Sequence, residues 1–311
     1  MKESQKYAIH LDNLRIKNKL TIDDFCEDIV DIRTFHRYKS GQRSLKHPKI
    51  SAFCKKLKIS TVDFYYSASK QDVYEFQRIN NLYSLIINRN YQLFYEQSST
   101  LKLNSIVEEQ NKRFLGFCYC KADYETNSTP LQEILLKLYK LCNYPNCLAF
   151  FAFDFVSLIS LQLIAEIEIK TNKVLALNKL INILYDIEVT YTSSETSKIL
   201  PSIFSNTSLF LLRLHKHKEA KHISSIGIEY SIKHSDFSGL AHLYYVQSYS
   251  NLILGNRLDA EKYANLCIIT SIAKKNDYEI NMFINTIKKD LEMSPIQLYN
   301  KCIEDINRDI K

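Results

Sequence analysis

The sequence predicts an all-α fold in two parts, a small N-terminal domain of five helices (residues 1–66) and a longer helical-repeat body (residues 67–311). The 311 residues contain only five glycines and five prolines, whereas β-hairpins and doubly wound sheets depend on those residues at their turns. Long stretches rich in Leu, Ile, Lys, Asn and Glu run without a helix breaker, and a spacing of small residues recurs in the second half. Together these observations favour helices joined by short polar turns.

The first two helices are predicted from apolar spacing and from a cap. Tyr7, Leu11 and Leu14 fall at positions i, i+4 and i+7, which gives one apolar stripe of a first helix. Thr21 is a good N-cap for the second helix, because two aspartates follow in its first turn. The buried face of that helix is predicted to consist of Ile22, Phe25, Cys26 and Ile29.

The third helix is predicted to begin after Asp31, which can cap it, and to end at Gly41, since glycine is favoured just past a helix C-terminus. Ile32, Phe35 and Tyr38 share one face and are expected to turn inward. The basic and polar residues then lie on the outer and flanking faces: Arg33, Thr34, His36, Arg37 and Lys39.

Two further helices complete the predicted N-terminal domain. Pro48 suits the start of a fourth helix. Its apolar stripe comprises Ile50, Phe53, Cys54 and Leu57. The stretch ISTVDFYY supplies a short fifth helix, with Phe64 packing back onto the others. Five short helices with a tight link between the second and third make a compact DNA-binding unit, whose third helix would enter the major groove.

Nearly all of the net charge lies in this N-terminal domain. Residues 1–66 contain 14 Lys and Arg against 8 Asp and Glu, a net charge of +6 out of +7 for the whole chain. From Arg33 to Lys58 there are nine basic residues and no acidic one. Charge alone would also fit a solvated basic face, but together with the helical pattern it indicates a nucleic-acid contact. The side chains predicted to bind double-stranded DNA are Arg33, Thr34, His36, Arg37, Lys39 and Arg43.

The segment from Ile9 to Tyr66 resembles the Cro/C1-type helix-turn-helix of the xenobiotic-response-element class. The matching register comprises Leu14-Arg15, Leu20-Thr21, Phe25-Cys26, Val30, Phe35, Tyr38, Gly41-x-Arg43, Leu57 and Phe64. Two positions depart from the pattern of that class. Ile22 stands where a phosphate-contacting Gln is usual, so the resemblance does not extend to a DNA contact from the start of the second helix. Lys39 stands where Glu is usual, which removes an intrahelical contact and adds positive charge.

The body of the chain contains a repeated spacing of small residues. The spacing occurs as Ala220-x3-Ser224-x2-Gly227, forty residues later as Ala260-x3-Ala264-x2-Cys267, and more faintly 44 residues earlier as Ala176-x3-Leu180-x2-Ile183. Small residues recur in this way in the second helix of a tetratricopeptide hairpin, where neighbouring helices approach closely. We therefore predict a right-handed α-solenoid of degenerate tetratricopeptide-like repeats, with residues 294–311 as a C-terminal capping helix. An irregular helical bundle stays open as the alternative.

A basic helix-turn-helix followed by a degenerate helical-repeat body resembles, in layout along the whole chain, the RRNPP regulators of Gram-positive bacteria, particularly the Rgg- and PrgX-like branch. The resemblance implies a cytoplasmic homodimer whose repeat domain binds a short signalling peptide, which changes the geometry or activity of the paired DNA-binding domains. In such a solenoid the first helix of each hairpin lines the concave face. The residues predicted to bind the peptide there or close by are Ser205, Asn206, Arg213, His242, Tyr245, Tyr249 and Asn285.

A second hypothesis is a protein-interaction scaffold or antirepressor whose helix-turn-helix no longer binds DNA. Ile22 favours this scaffold, whereas the basic run favours the regulator. An enzyme is not predicted, because the sequence contains no Gly-rich phosphate loop, nucleophile elbow or HExxH motif, and no cofactor or metal is expected. The apolar stretch 147–169 carries Asp154, Gln162 and Glu166, which indicates a buried helix rather than a membrane span. The polar N-terminus predicts no secretory signal.

Overall fold

The computed structural model describes residues 3–101, 106, 108–150, 153–186, 194–274, 277–290 and the single positions 292, 294, 296, 297 and 300. These ranges contain sixteen α-helices and one short 3₁₀ helix, with no strand, so the predicted all-α class is confirmed. The chain separates into two compact units, residues 1–112 and 113–311. The predicted N-terminal domain is part of the first unit, and a boundary after residue 66 stays a prediction.

In the first unit, the first five helices pack around a cluster of aromatic rings. The complete helices of this unit are α1 (Glu3–Lys17), α2 (Ile22–Cys26), α3 (Ile32–Lys39), α4 (His47–Lys56), α5 (Thr61–Ala68), α6 (Lys70–Ile87) and α7 (Tyr91–Ser99). The rings of Phe25, Phe35 and Phe53 lie with their centroids 4.7–5.6 Å apart. Leu11 and Phe64 are completely buried in the same core. The predicted inward faces of α1 to α5 are therefore confirmed.

Local capping fixes the ends of α2 and α3, as the sequence predicts. The Thr21 hydroxyl accepts a hydrogen bond from the backbone N–H of Asp24 (3.1 Å), at the start of α2. The Asp31 carboxylate accepts one from the backbone N–H of Thr34 (2.8 Å), at the start of α3. Gly41 follows the end of α3 with a φ of 74°. Residues with a Cβ adopt this left-handed backbone conformation only at a cost in free energy.

The second unit consists of nine α-helices and one 3₁₀ helix in the part of it that the structure describes. The α-helices are α8 (Glu109–Thr126, which begins just before the division), α9 (Leu131–Cys142), α10 (Phe155–Lys170), α11 (Leu175–Tyr185), α12 (Ser194–Arg213), α13 (His217–Lys233), α14 (Leu240–Ile253), α15 (Arg257–Ala273) and α16 (Asp277–Asp290). The 3₁₀ helix, Asn146–Ala149, lies between α9 and α10. The predicted capping helix, 294–311, lies outside the described residues except at 294, 296, 297 and 300.

Consecutive helices of the second unit run antiparallel. The Lys221 ammonium, near the start of α13, donates to the Asn251 side chain near the end of α14 (2.7 Å). Further along α13, a Cβ built on Gly227 would lie 3.1 Å from Leu243, close to the start of α14. In the pairs α12–α13 and α14–α15, too, residues near the start of one helix contact residues near the end of the other.

Alternate helices, by contrast, run parallel. Arg113 near the start of α8 binds Asp154 at the start of α10 (2.7 Å), and Tyr124 near the end of α8 binds Glu166 near the end of α10 (3.1 Å). The pairs α12–α14 and α14–α16 also meet start to start. In stacked helical hairpins, neighbouring helices run antiparallel and every second helix runs parallel, as is observed here. This arrangement agrees with the predicted helical-repeat body, whose tetratricopeptide-like character and right-handed sense stay predictions.

The small residues of the repeated spacing lie where helices approach one another closely. Ala220 and Ser224 are completely buried on α13, and a Cβ on Gly227 would lie only 2.8 Å from the Cβ of Phe204 on α12. The second copy of the pattern is equally buried on α15, at Ala260, Ala264 and Cys267. A larger side chain at these positions would force the helices apart, which explains the spacing in physical terms.

Helix α10 is buried on nearly all sides, as predicted for the apolar stretch 147–169. Even Glu168 on this helix is only 3 % exposed. Its carboxylate accepts hydrogen bonds from the Tyr144 hydroxyl (2.5 Å) and from the backbone N–H of Ala176 at the start of α11 (2.9 Å). A buried carboxylate with two donors therefore joins three segments of the unit. None of the helices described is both long and apolar enough to cross a membrane.

Arg113 ties the first three helices of the second unit together. Its guanidinium donates to the Leu141 carbonyl at the end of α9 (2.9 Å), to the Asp154 carboxylate (2.7 Å) and to the Ser157 hydroxyl (2.8 Å). Burial by itself would raise the pKa of Asp154. The hydrogen bonds from Arg113 and from the Ser157 backbone more than offset this effect, so the pKa lies below its ordinary value.

Replacing Arg113 by Met is expected to lower the free energy of unfolding at pH 7 by about 1–3 kcal/mol, because charged hydrogen bonds to a half-buried partner are lost. A carboxyl with a lowered folded-state pKa contributes stability above its ordinary pKa of 3.8, and this is lost as the pH falls through the folded value. The difference between the two proteins should therefore shrink below about pH 4, as measured by urea unfolding at both pH values.

The matched control for this change is Arg257→Met. Arg257 pairs with Glu261 at 3.3 Å, but its side chain is 69 % exposed, so the change should alter stability by less than about 0.5 kcal/mol. Equal losses from the two substitutions, or a loss from Arg113→Met that is the same at low and neutral pH, would contradict the role of Arg113.

Candidate nucleic-acid interface and ligand surface

Helix α3 has an aromatic inner face and a basic outer face. Phe35 is completely buried, and Tyr38 is 4 % exposed. Arg33, His36 and Arg37 are exposed on the other side of the helix. Because residues three and four apart are neighbours on a helix surface, these three side chains form one contiguous basic patch. This is the arrangement predicted for a helix that contacts DNA, and the contacts themselves stay a prediction.

The predicted outward placement of Thr34 is wrong. Its side chain is buried, at 6 % exposure. The Thr34 hydroxyl donates to the second carboxylate oxygen of Asp31 (2.7 Å), while its backbone N–H binds the first. These hydrogen bonds lower the pKa of Asp31. Thr34 therefore belongs to the cap that starts α3 and not to the set of exposed candidates.

Lys39 does not add positive charge to the outer face, contrary to the expectation from the sequence. Its ammonium lies 2.5 Å from the Asp12 carboxylate of α1, 27 residues away in sequence. Arg15 binds the other oxygen of the same carboxylate at 2.8 Å. Burial would raise the pKa of Asp12, but the two cations more than offset it and lower that pKa. Lys39 thus neutralises a charge inside the unit, which its spacing on α3 alone cannot reveal.

Arg43 is exposed and lies beside α3. Its guanidinium is 6.0 Å from the centroid of the Tyr38 ring, and one of its nitrogens is 3.5 Å from the Thr34 hydroxyl. Stacking on an aromatic ring restrains a guanidinium without removing its charge. Arg43 therefore stays a candidate contact next to the basic patch of α3.

Two lysines of the basic run bind backbone carbonyls between α2 and α3, a role that sequence analysis missed. The Lys49 ammonium donates to the carbonyl of Ile29 (2.6 Å), and the Lys56 ammonium donates to that of Glu27 (2.8 Å). Both carbonyls follow the end of α2, where helix carbonyls lack partners. A run of lysines gives no signal in sequence that separates those that cap a turn from those that face solvent.

The candidate peptide-binding residues on α12 are not all accessible. Ser205 is 4 % exposed, and its Cβ lies 3.4 Å from where a Cβ on Gly239 would be. The prediction that Ser205 faces an open groove is therefore wrong, since the start of α14 covers it. Asn206 is half-buried, and its amide donates weakly to Ser202 (3.4 Å). Arg213, at the end of the helix, is exposed and its side chain lies over Phe210 (5.7 Å).

The candidates on α14 form one aromatic row along the helix, part of which packs against α16. The His242 ring lies edge-on to Phe283 (4.9 Å), and burial lowers the pKa of His242. The Tyr245 hydroxyl donates to the Asp290 carboxylate (3.0 Å), and burial raises the pKa of Tyr245. Tyr249 follows at 6.2 Å from the Tyr245 ring. The last candidate, Asn285, is exposed on α16.

Comparison with known proteins finds relatives by structure rather than by sequence. No family model matches the chain, and no curated protein sequence matches it either. Bacillus thuringiensis PlcR, in complex with the peptide PapR7 and DNA, is 18 % identical with a TM-score of 0.62, over 89 % of this chain and 99 % of PlcR. The Streptococcus dysgalactiae SHP pheromone receptor Rgg2 is 11 % identical with a TM-score of 0.55, over 91 % of this chain and 99 % of Rgg2. The chain has the fold of these proteins.

A third match extends the same group. ComR from S. thermophilus, in complex with DNA and its signalling peptide ComS, is 12 % identical with a TM-score of 0.51, over 89 % of this chain and 97 % of ComR. PlcR, Rgg2 and ComR are RRNPP-type regulators. The resemblance predicted from the sequence is thus confirmed at the level of the fold, across both units of the chain.

Proposed function

We propose that this chain is a DNA-binding transcription regulator controlled by a short signalling peptide, which binds to the helical repeats of the second unit. The observation that carries the proposal is the fold, which the chain shares along nearly its whole length with regulators seen in complex with DNA and peptide. In this proposal the regulator is a cytoplasmic homodimer whose paired N-terminal domains bind the two halves of a two-fold symmetric DNA site. It has no catalytic role.

The DNA-binding part of the proposal is supported by the chemistry of α3. Arg33 and Arg37 are exposed one turn apart, with His36 beside them. An arginine in the major groove can donate two hydrogen bonds to the O6 and N7 atoms of guanine. Arg43 and Lys46 are both exposed after the end of α3, where they would bind phosphates of the DNA backbone next to the bases that α3 contacts.

The peptide-binding part is supported by the aromatic row of α14 and by two amide side chains, half-buried Asn206 on α12 and exposed Asn285 on α16. Tyr245 and Tyr249 are half-buried, and we propose that the exposed parts of their rings contact apolar side chains of the peptide. The amides of Asn206 and Asn285 can donate to and accept from a peptide backbone at the same time.

The scaffold remains the second candidate, and two observations favour it. Lys39, Lys49 and Lys56 direct their ammonium groups to Asp12 and to backbone carbonyls, so part of the basic run supports the fold. Ile22 is half-buried against the core where the related class has a phosphate-contacting Gln. A scaffold would keep these internal contacts and bind no DNA.

Salt dependence of duplex binding separates the two candidates. With about five phosphate contacts per chain, and so about ten per homodimer, the logarithm of the association constant should fall against the logarithm of salt concentration with a slope of about −9. Fluorescence anisotropy with a random-sequence duplex measures it. Binding that is undetectable at low salt, or a slope shallower than about −1, would contradict the regulator and favour the scaffold.

The peptide is tested separately from the DNA. The purified chain is incubated with culture supernatant of the organism that makes it, recovered, and analysed by mass spectrometry. A retained short peptide that raises the melting temperature of the chain is the expected result. A chain that retains no peptide, and whose melting temperature none of the supernatant fractions shifts, would contradict peptide control.

A further inference from the structure

Helix α1 contacts both the backbone and the side chain of Lys39, the last residue of α3. The Gln5 side chain donates to the Lys39 carbonyl (3.1 Å), and the Lys39 ammonium binds the Asp12 carboxylate (2.5 Å). Gln5 and Asp12 are about two helical turns apart, so they lie on the same face of α1. A single neighbouring helix therefore holds the end of α3 at two points.

The Asp12 carboxylate is itself fixed by Arg15. The Arg15 guanidinium donates to the other Asp12 oxygen (2.8 Å) and to the carbonyl of Leu20 (2.7 Å), just before the Thr21 cap of α2. The side chains of Asp12, Arg15 and Lys39 are only 13–26 % exposed. A chain of polar contacts thus runs from the start of α2, through α1, to the end of α3.

Contacts of this kind fix orientation more than they add stability. In an ion pair with little exposure, the cost of desolvation largely offsets the attraction between the charges. The packing of Phe35 and Tyr38 holds α3 on the core, but apolar burial is non-directional. Hydrogen bonds and ion pairs have preferred distances and angles, so they favour one tilt of the helix over others.

A small tilt of α3 would move its outer arginines away from base contacts. Arg33 precedes Lys39 by roughly 9 Å along the helix axis. A tilt of about 10° around the end of the helix would therefore displace Arg33 by about 1.6 Å. Side chains that recognise a ligand must be held within about 0.5 Å of the productive position, which such a displacement exceeds.

We propose that Asp12 and Lys39 are positioning residues for DNA recognition, whose ion pair holds Arg33 and Arg37 within reach of the base edges. The inference rests on the proposed function and adds the residues that fix the geometry of its recognition helix. The ion pair acts through α3, and neither of its members needs to contact DNA. It follows that the Asp12 carboxylate favours sequence-selective binding, although a negative charge by itself repels phosphates.

Two substitutions with opposite charge changes test the inference. Lys39→Met removes a positive charge and Asp12→Asn removes a negative one, and each roughly keeps the size of the side chain. Binding is measured to the duplex that the unmodified chain enriches from a random pool, and to a scrambled duplex of the same length. We expect each substitution to weaken binding to the enriched duplex about ten-fold, as the loss of one arginine–guanine contact would. Binding to the scrambled duplex should change less than about three-fold, because phosphate contacts tolerate a small tilt.

The double variant shows whether the two residues act as one pair. It should bind the enriched duplex no more weakly than either single variant, because each substitution alone already breaks the ion pair. Lys39→Arg keeps a cation beside Asp12 and should retain selective binding. All binding is measured well below the melting temperature of each variant, so that loss of the fold is not mistaken for loss of selectivity.

The controls make the same charge changes at exposed positions of the first unit. Lys17 is exposed on α1, and the Glu27 side chain is 69 % exposed directly after α2. Lys17→Met should weaken binding to both duplexes and Glu27→Gln should strengthen it, each by less than about three-fold, since only long-range electrostatics changes.

Three results would overturn the positioning role while leaving DNA recognition standing. They are opposite effects of Lys39→Met and Asp12→Asn on the enriched duplex, losses that multiply in the double variant, and equal losses on the enriched and scrambled duplexes. If the unmodified chain enriches no duplex at all, the proposed DNA recognition fails, and the positioning role fails with it.

Discussion

Replacing Arg33 and Arg37 together by alanine is expected to weaken binding to a preferred duplex by about 2–6 kcal/mol, roughly 30-fold or more, because each arginine can make a bidentate contact with guanine. Both side chains are exposed on the outer face of α3, so the fold should be unaffected. Titration of labelled duplex with the unmodified and variant chains measures the loss directly.

The matched control is the double substitution Lys17→Ala and Lys55→Ala. These lysines are also exposed in the first unit and carry the same total charge, but they lie on α1 and α4. If α3 reads the bases, the control should weaken binding only through long-range electrostatics, by less than about ten-fold. Equal losses from the two double variants would mean that binding follows net charge and that α3 is not the recognition helix.

Replacing Gly239 by Ala is expected to destabilise the second unit by about 2–3 kcal/mol. A Cβ at this position would lie 2.5 Å from the carbonyl oxygen of Pro201 and 2.9 Å from its carbonyl carbon. Both atoms are backbone, so no side-chain rotation relieves the clash, and α12 and α14 would have to move apart. Urea unfolding followed by circular dichroism gives the change in free energy.

Gly116→Ala serves as the control for this clash. Its Cβ would meet only the end of the Leu141 side chain, at 3.3 Å, and alanine favours a helix over glycine by about 1 kcal/mol. The expected result is therefore unchanged or slightly increased stability. A loss at Gly116 as large as that at Gly239 would show that any added methyl group is harmful and that the close approach of α12 and α14 is not special.

The first helices of the chain could be predicted because their signals are local. Thr21, Asp31 and Gly41 act within three or four residues of the helix ends that they define, so their identities suffice. The apolar spacing likewise identifies Phe35 and Tyr38 as inward residues. In the repeats, small residues at a fixed spacing indicate close helix contacts from the amino-acid sequence alone.

The errors arise where a side chain meets a partner that the spacing of its own helix does not reveal. The position of Lys39 gives no sign of Asp12, which lies on another helix. Thr34 lies between the inner and outer faces of α3, and only its hydrogen bonds to Asp31 decide its burial. Repeat geometry places Ser205 in a groove, but the turn at Gly239 covers it. Contacts between helices depend on how those helices cross, which a single sequence does not specify.

The surroundings of the Tyr124 ring escape sequence analysis for a related reason. Lys121 and Glu125 form an ordinary ion pair four residues apart on α8, and Lys170 is an exposed residue at the end of α10. Each alone is typical of a solvated helix surface. Only the parallel packing of α8 and α10 places both lysines beside one buried ring.

The central claim, that this fold reads DNA sequence through α3, is tested most directly by selection from a random-duplex pool. The unmodified chain is mixed with the pool at moderate salt, and the bound duplexes are recovered and sequenced over several rounds. We predict enrichment of a two-fold symmetric site that contains guanines and that the Arg33→Ala, Arg37→Ala variant fails to enrich. A pool that the unmodified chain leaves without any enriched sequence, or the same site recovered by both proteins, would contradict the claim.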